Sequence, residues 1–182
     1  MDYMVSEKWG QFLATRERGR KVREDIETHL SKVRAGDALV LNFIGVEGIT
    51  VSFGDECVAK LILSRSSGDF ADRGLAIGGA NEDVRETLEA VLSRRKFSAV
   101  LITESDVEII GQDDLLSATL KEAVQLKTFS AADIADRLGI TVQAANNRLK
   151  QLVATGSVVR ERVVPDGGGK EFSYSVVIPT YA

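Results

Sequence analysis

Apolar residues recur at spacings of three and four between Thr15 and Val33, where Val22, Ile26, Leu30 and Val33 form a narrow stripe on a charged segment. This predicts a helix with Thr15 as its N-cap and Gly36 as its stop. Asp37–Phe43 reads as a short β run, followed by a loop holding Gly45 and Gly48. A helix of roughly four turns is expected from Ser52 to about Ser66, with Ser52 and Asp55 in the spacing of a reciprocal N-terminal cap. Leu75–Ile77 is a second β run closed by Gly78 and Gly79. Asn81 then caps an amphipathic helix whose inward residues are Val84, Leu88, Val91 and Leu92. Ser98–Thr103 reads as a short strand or the lead into a link, and the segment from Tyr3 to Ser6 as a further strand. The alternation of helices and strands predicts a small layered α/β unit with parallel strand pairing.

Residues 103–114 are acidic and weakly periodic, and are expected to join two domains, at 1–102 and 115–182. From Leu115 the punctuation sharpens. One helix covers "LLSATLKEAVQLK", and a second begins at Ser130, with Asp133 in the capping-box position, and stops at Gly139. A third is capped by Thr141 and ended by Gly156, with Val142, Ala145, Leu149 and Leu152 expected inward. Two β runs joined by "PDGGGK" close the chain as a hairpin. The fold class is therefore α/β (α+β), a layered unit followed by a three-helix unit with a hairpin.

Composition and motif content add further constraints. With 44% apolar and 27% charged residues the chain has the make-up of a globular protein, and no apolar run approaches the roughly 20 residues that span a bilayer. The N-terminus lacks the layout of a secretory signal, so a cytoplasmic location without membrane attachment is expected. One cysteine, Cys57, and one histidine, His29, cannot make a structural zinc site, and both read as ordinary helix residues. No nucleophile elbow, phosphate-cradling loop or dinucleotide fingerprint occurs, so neither catalysis nor a cofactor nor a metal is expected. The net charge of −4 lies in the first 112 residues, whereas Thr141–Lys170 holds five basic residues against two acidic. That local excess permits a nucleic-acid surface.

The motifs "ADIADRLGIT", "RLKQLVATGSVVRE" and "PDGGGKEFSYSV" together resemble the winged helix-turn-helix of MarR-type bacterial regulators, over about residues 115–177. The resemblance implies that the third helix enters the major groove of double-stranded DNA, with Thr141, Gln143, Asn146, Asn147, Arg148 and Lys150 as contacts. Arg160, Arg162 and Lys170 would reach the backbone from the wing. Amides can bond adenine bidentately and Arg guanine, which suits these residue types to base readout.

"LNFIGVEGITVSFGDECVAKLI" and "GLAIGGANEDVRETLEAVL" resemble the STAS and STAS-like domains of anti-sigma-factor antagonists, over about residues 36–97. In those antagonists a hydroxyl residue before the helix is phosphorylated, and aligning the helix puts that turn on Thr50-Val51-Ser52-Phe53. Val51 then stands at the modified position, and Asn42 where Asp is usual. Thr50, Ser52, Phe53 and Asp55 are accordingly the candidate switch or partner surface, with Ser52 read first as a helix cap. The combined expectation is a bacterial transcriptional regulator that binds DNA and senses a signal or protein partner, of a kinase-like or sigma-related kind, as a homodimer. The competing expectation is a partner-switch protein that makes protein contacts only.

Overall fold

The computed structural model describes residues 1–111, 114–163 and 171–179. The N-terminal unit runs β1 (Asp2–Met4), α1 (Val5–Trp9), β2 (Phe12–Leu13), α2 (Arg16–Leu30), β3 (Ala38–Asn42), β4 (Gly48–Ile49) and α3 (Val51–Gly54). A π-helical turn over Asp55–Ala59 carries α3 without a break into α4 (Lys60–Ser66). Then come β5 (Gly74–Gly78), α5 (Glu82–Arg95), β6 (Ser98–Ile102) and β7 (Val107–Gly111). The C-terminal unit comprises α6 (Asp114–Leu126), β8 (Thr128–Phe129), α7 (Ala131–Leu138), α8 (Val142–Thr155), β9 (Val158–Val163) and β10 (Glu171–Val176).

Five strands form one sheet in the order β1-β3-β5-β6-β7. The first four are parallel and β7 is antiparallel to β6. Because the parallel strands advance in one direction, right-handed crossovers must place every connecting helix on the same face. That is where they are: Val22 and Ile26 of α2, Phe53 and Leu61 of the α3–α4 helix, and Leu88 and Leu92 of α5 share a core with Leu39, Leu41, Leu75, Ile77 and Leu101. Each such buried side chain contributes roughly 1.5–3 kcal/mol.

The opposite face is covered by the C-terminal unit. Ala76, Val100 and Val107 belong to the same core as Leu116 and Leu120 of α6, Ile134 of α7, Ala145, Leu149 and Leu152 of α8, and Tyr174 of β10. Strand β5 shows why this docking is close. Its large residues, Leu75 and Ile77, face the helices, while Gly74, Ala76 and Gly78 leave the other face low. A Cβ on Gly74 would lie 2.6 Å from Ala38 Cβ on β3 and 2.8 Å from Val177 Cγ2 of the C-terminal unit, so glycine lets both approach there.

The expected link at 103–114 is corrected, since it contains strand β7. Val107 and Ile109 turn toward the C-terminal unit, and Ile110 toward the helical layer. Glu104 and Asp106 sit in the hairpin turn, where Asp106 N donates to Thr103 Oγ1 and Thr103 N to Asp106 O, both at 3.0 Å, while Glu108 lies within β7. The strand expected from Tyr3 to Ser6 is β1 as far as Met4, and Val5 and Ser6 open helix α1 instead. The helix begun by Thr15 ends at Leu30, six residues before Gly36. No helix among the described residues is long and apolar enough to cross a membrane.

Candidate nucleic-acid interface

In the C-terminal unit, α7 opens with the predicted capping box. Ser130 Oγ accepts from Asp133 N at 3.2 Å, and the Asp133 carboxylate accepts from Ser130 N at 2.7 Å. Those bonds hold the Asp133 carboxyl below its ordinary range. Gly139 ends the helix in the left-handed conformation, and Thr141 caps α8 by accepting from Ala144 N. Gly-stopped α7 and Thr-capped α8 make the helix-turn-helix. Strands β8, β10 and β9 form a three-stranded sheet beside it.

Helix α8 buries Ala145, Leu149 and Leu152 and exposes Thr141, Gln143, Asn147, Lys150 and Gln151. Gln143 Nε2 donates to Asn147 Oδ1 at 3.3 Å, aligning two amides one turn apart. Arg148 is half-buried. So is Asn146, whose Oδ1 lies 3.5 Å from the Tyr174 hydroxyl, so it ties the helix to β10 instead of standing free. Val142 is corrected from the inward face: it is 49% exposed, because the first turn of α8 projects beyond the core that begins at Ala145.

The hairpin leaves the core at Arg160. Val158 and Val159 are buried, and the rest of β9 is exposed. Opposed residues of an antiparallel pair share a face. Arg160 is opposite Tyr174 and Arg162 opposite Phe172, so the cations continue the face on which Tyr174 meets α8. The Arg160 guanidinium lies over the Phe172 ring, 4.4 Å from its centroid, while Tyr174 stacks on Phe129. Among the described residues, Arg148, Lys150, Arg160 and Arg162 pair with no carboxylate. Arg137, by contrast, is engaged by Glu122 at 3.0 Å. Lys170 and the glycine-rich tip lie outside the described residues.

The second candidate surface differs from expectation in two respects. Thr50, not Ser52, caps the α3–α4 helix: its Oγ1 accepts from Phe53 N at 3.3 Å, and the Ser52 hydroxyl lies 3.2 Å from the same oxygen. The helix starts at Val51, which places Ser52 already inside the first turn. Phe53 is fully buried in the helical-layer core and presents nothing to a partner. Asp55 completes no capping box. Its two oxygens accept from Arg95 at 2.7 and 2.8 Å, with Arg16 at 3.5 Å, and the Arg95 bonds hold its carboxyl below the ordinary range. Thr50, Val51, Ser52 and Asp55 line an open cleft of about 610 Å³ with Arg16, Arg94 and Arg95.

Cys57 is fully buried, and burial pushes its thiol up to about 12. It packs in the π-helical turn against α2, where Arg23 Nε donates to Glu56 O at 3.1 Å. Sequence periodicity gave no sign of this turn. Gly19 is its counterpart, since a Cβ there would lie 3.0 Å from Phe53 O. The rings of His29 and Tyr3 meet nearly perpendicular with centroids 5.0 Å apart, and His29 Nδ1 lies 2.8 Å from Asp25 O.

Residues 117–167 match the model of the MarR family. The matched segment runs from α6 into the hairpin and includes all of α7, α8 and β9. No curated protein and no solved structure matches the chain.

Proposed function

We propose that this protein is a transcriptional regulator that binds double-stranded DNA through α8 and the β9–β10 wing. One observation carries the reading. The exposed face of α8 presents two aligned amides, Lys150 and no carboxylate, and it runs onto a wing face that carries Arg160 and Arg162. Gln143 and Asn147 suit adenine edges, and the exposed Val142 suits a thymine methyl beside them. The wing cations suit phosphates or the minor groove. The match of residues 117–167 to the MarR family supports the same role.

In this reading the N-terminal unit is the receiver. Its resemblance to STAS-like domains and the cleft rimmed by Thr50, Val51 and Ser52 support a protein partner there, and no catalysis, cofactor or metal enters. The continuous α3–α4 helix runs for 16 residues, about 24 Å at the usual rise. It starts at the cleft and ends beside the winged helix, where the Arg65 guanidinium carbon would lie 3.1 Å from a Cβ on Gly156. A partner at the cleft therefore has a rigid route to the DNA module. The reading also places the protein in the cytoplasm and calls for a homodimer, because one module of this modest charge holds DNA weakly at physiological salt.

The test is fluorescence anisotropy on labelled duplex DNA across a salt series. Affinity should fall steeply with salt, and Asn147→Ala with Lys150→Ala together should weaken it at least tenfold while circular dichroism is unchanged. Binding that is absent at low salt, or indifferent to that double substitution, would leave the partner-switch alternative in possession.

A further inference from the structure

We propose that the outer edge of β7 is the surface through which two copies of this chain pair, extending the five-stranded sheet into one of ten strands. The open edges of the molecule differ in how they are protected. Strand β1 has only three residues, and β9 carries Arg160, Glu161 and Arg162 along its length. Short or charged edges resist pairing. Strand β7, "VEIIG", is five residues long, contains neither proline nor lysine, and pairs only with β6 among the described residues. Its one charge, Glu108, is already engaged by Arg85 at 2.8 Å.

The occupant that fits is a second β7. A strand pairs antiparallel with its own copy about a two-fold axis normal to the sheet, so the contact closes on itself. Such an axis keeps each face of the sheet on its own side. Opposed residues must then share a face, which limits the register to pairs of equal parity. Pairing centred on Glu108 would set two carboxylates against each other. Pairing centred on Ile109 sets Ile109 against its copy and Glu108 against Ile110, with no like charges opposed. Ile109 then gains an apolar neighbour on the side of α6, where an open groove of about 300 Å³ flanks the strand, lined by Val107, Leu120 and Val124 with Asp106, Lys121 and Gln125 at its polar side.

The same axis has a functional consequence. Both winged helices lie on one face of the ten-stranded sheet, related by two-fold symmetry, which is the arrangement that meets two inverted half-sites of a duplex. The pairing surface is argued from the strand itself; only this consequence rests on the DNA-binding reading.

Sedimentation equilibrium of the full chain should give twice the 19.7 kDa chain mass. Directly opposed residues have Cβ atoms about 4.5–5.5 Å apart, near the span of a disulfide, whereas residues two positions off are too distant. Ile109→Cys should therefore form a disulfide-linked dimer under mild oxidant, and Glu108→Cys should not; Cys57 is buried and does not interfere. Ile109→Arg should halve the mass while retaining the circular dichroism spectrum. A monomeric wild type overturns the proposal, as does a dimer that links equally at both positions or at neither. A dimer linked at position 109 that ignores DNA supports this surface and sinks the regulator reading alone.

Discussion

Leu75 N donates to Gly156 O at 3.0 Å, so the start of the central strand β5 is bonded to the residue that ends α8. The two units are thereby joined by backbone as well as by packing. A Cβ on Gly156 would lie 2.8 Å from both the backbone N and Cβ of Leu75, and Gly156 has a φ of +90°. Gly156→Ala therefore meets a clash and a strained backbone together. It should cost roughly 2–4 kcal/mol in urea unfolding, more than the 1 kcal/mol or so typical of replacing a glycine cap. Wild type should unfold in one transition by both near- and far-ultraviolet circular dichroism. Two separated transitions in wild type would show that the units do not share a cooperative core.

The identity of the cap on the α3–α4 helix gives a second expectation. Thr50 Oγ1 accepts the Phe53 amide, and Ser52 meets only that same hydroxyl. Thr50→Ala should cost about 1 kcal/mol, within the usual range for losing an N-cap. Ser52→Ala should cost clearly less, since its loss leaves no backbone donor unpartnered. Thermal midpoints of the two variants measured side by side decide the order, and equal losses would restore Ser52 to the role its spacing to Asp55 suggested.

That mistake shows what was legible in the sequence. Caps and stops written in residue chemistry were readable: Ser130 with Asp133, Gly139, Thr141 and Gly156 all stand at the ends of helices where their side chains or backbones require them. The three helices and the hairpin of the winged helix followed from those marks. Thr50 and Ser52 are both good caps two residues apart, and only the backbone decides between them. The interval 103–114 misled because acidic residues suggest solvent. Its strand has no clean alternation, since both faces of β7 are covered. Docking of the two units was written in β5, where small residues alternate with large ones, but small residues at a strand end also read as turn glycines. The outward set on α8 was largely readable from helical spacing. Asn146 was not, because its partner Tyr174 lies 28 residues away.

Salt dependence separates the roles of the wing cations from those of the α8 amides. Each phosphate contact contributes about 0.9 to the slope of log affinity against log salt. Arg162→Ala should lower that slope by about 1 and weaken binding to every duplex similarly. Asn147→Ala should leave the slope unchanged and relax preference among sequences. Arg160→Ala should resemble Arg162→Ala and also free the Phe172 ring it covers. An unchanged slope in both arginine variants would remove the wing from the interface.

The pair of Asp55 with Arg95 gives a pH dependence whose sign follows from the geometry. The Arg95 hydrogen bonds favour the ionised carboxylate and depress the folded-state value below that of the unfolded chain. A depressed carboxyl stabilises the fold above its unfolded value, near 4, and that contribution is lost as pH falls through the folded value. Asp55→Asn removes the contribution at neutral pH and leaves nothing to lose in acid. The variant should therefore have a lower urea midpoint than wild type at pH 7, and the gap between the two should narrow as pH falls below the unfolded carboxyl value near 4. A gap that does not narrow in acid would mean that Asp55 acts through packing in the cleft and not through its charge.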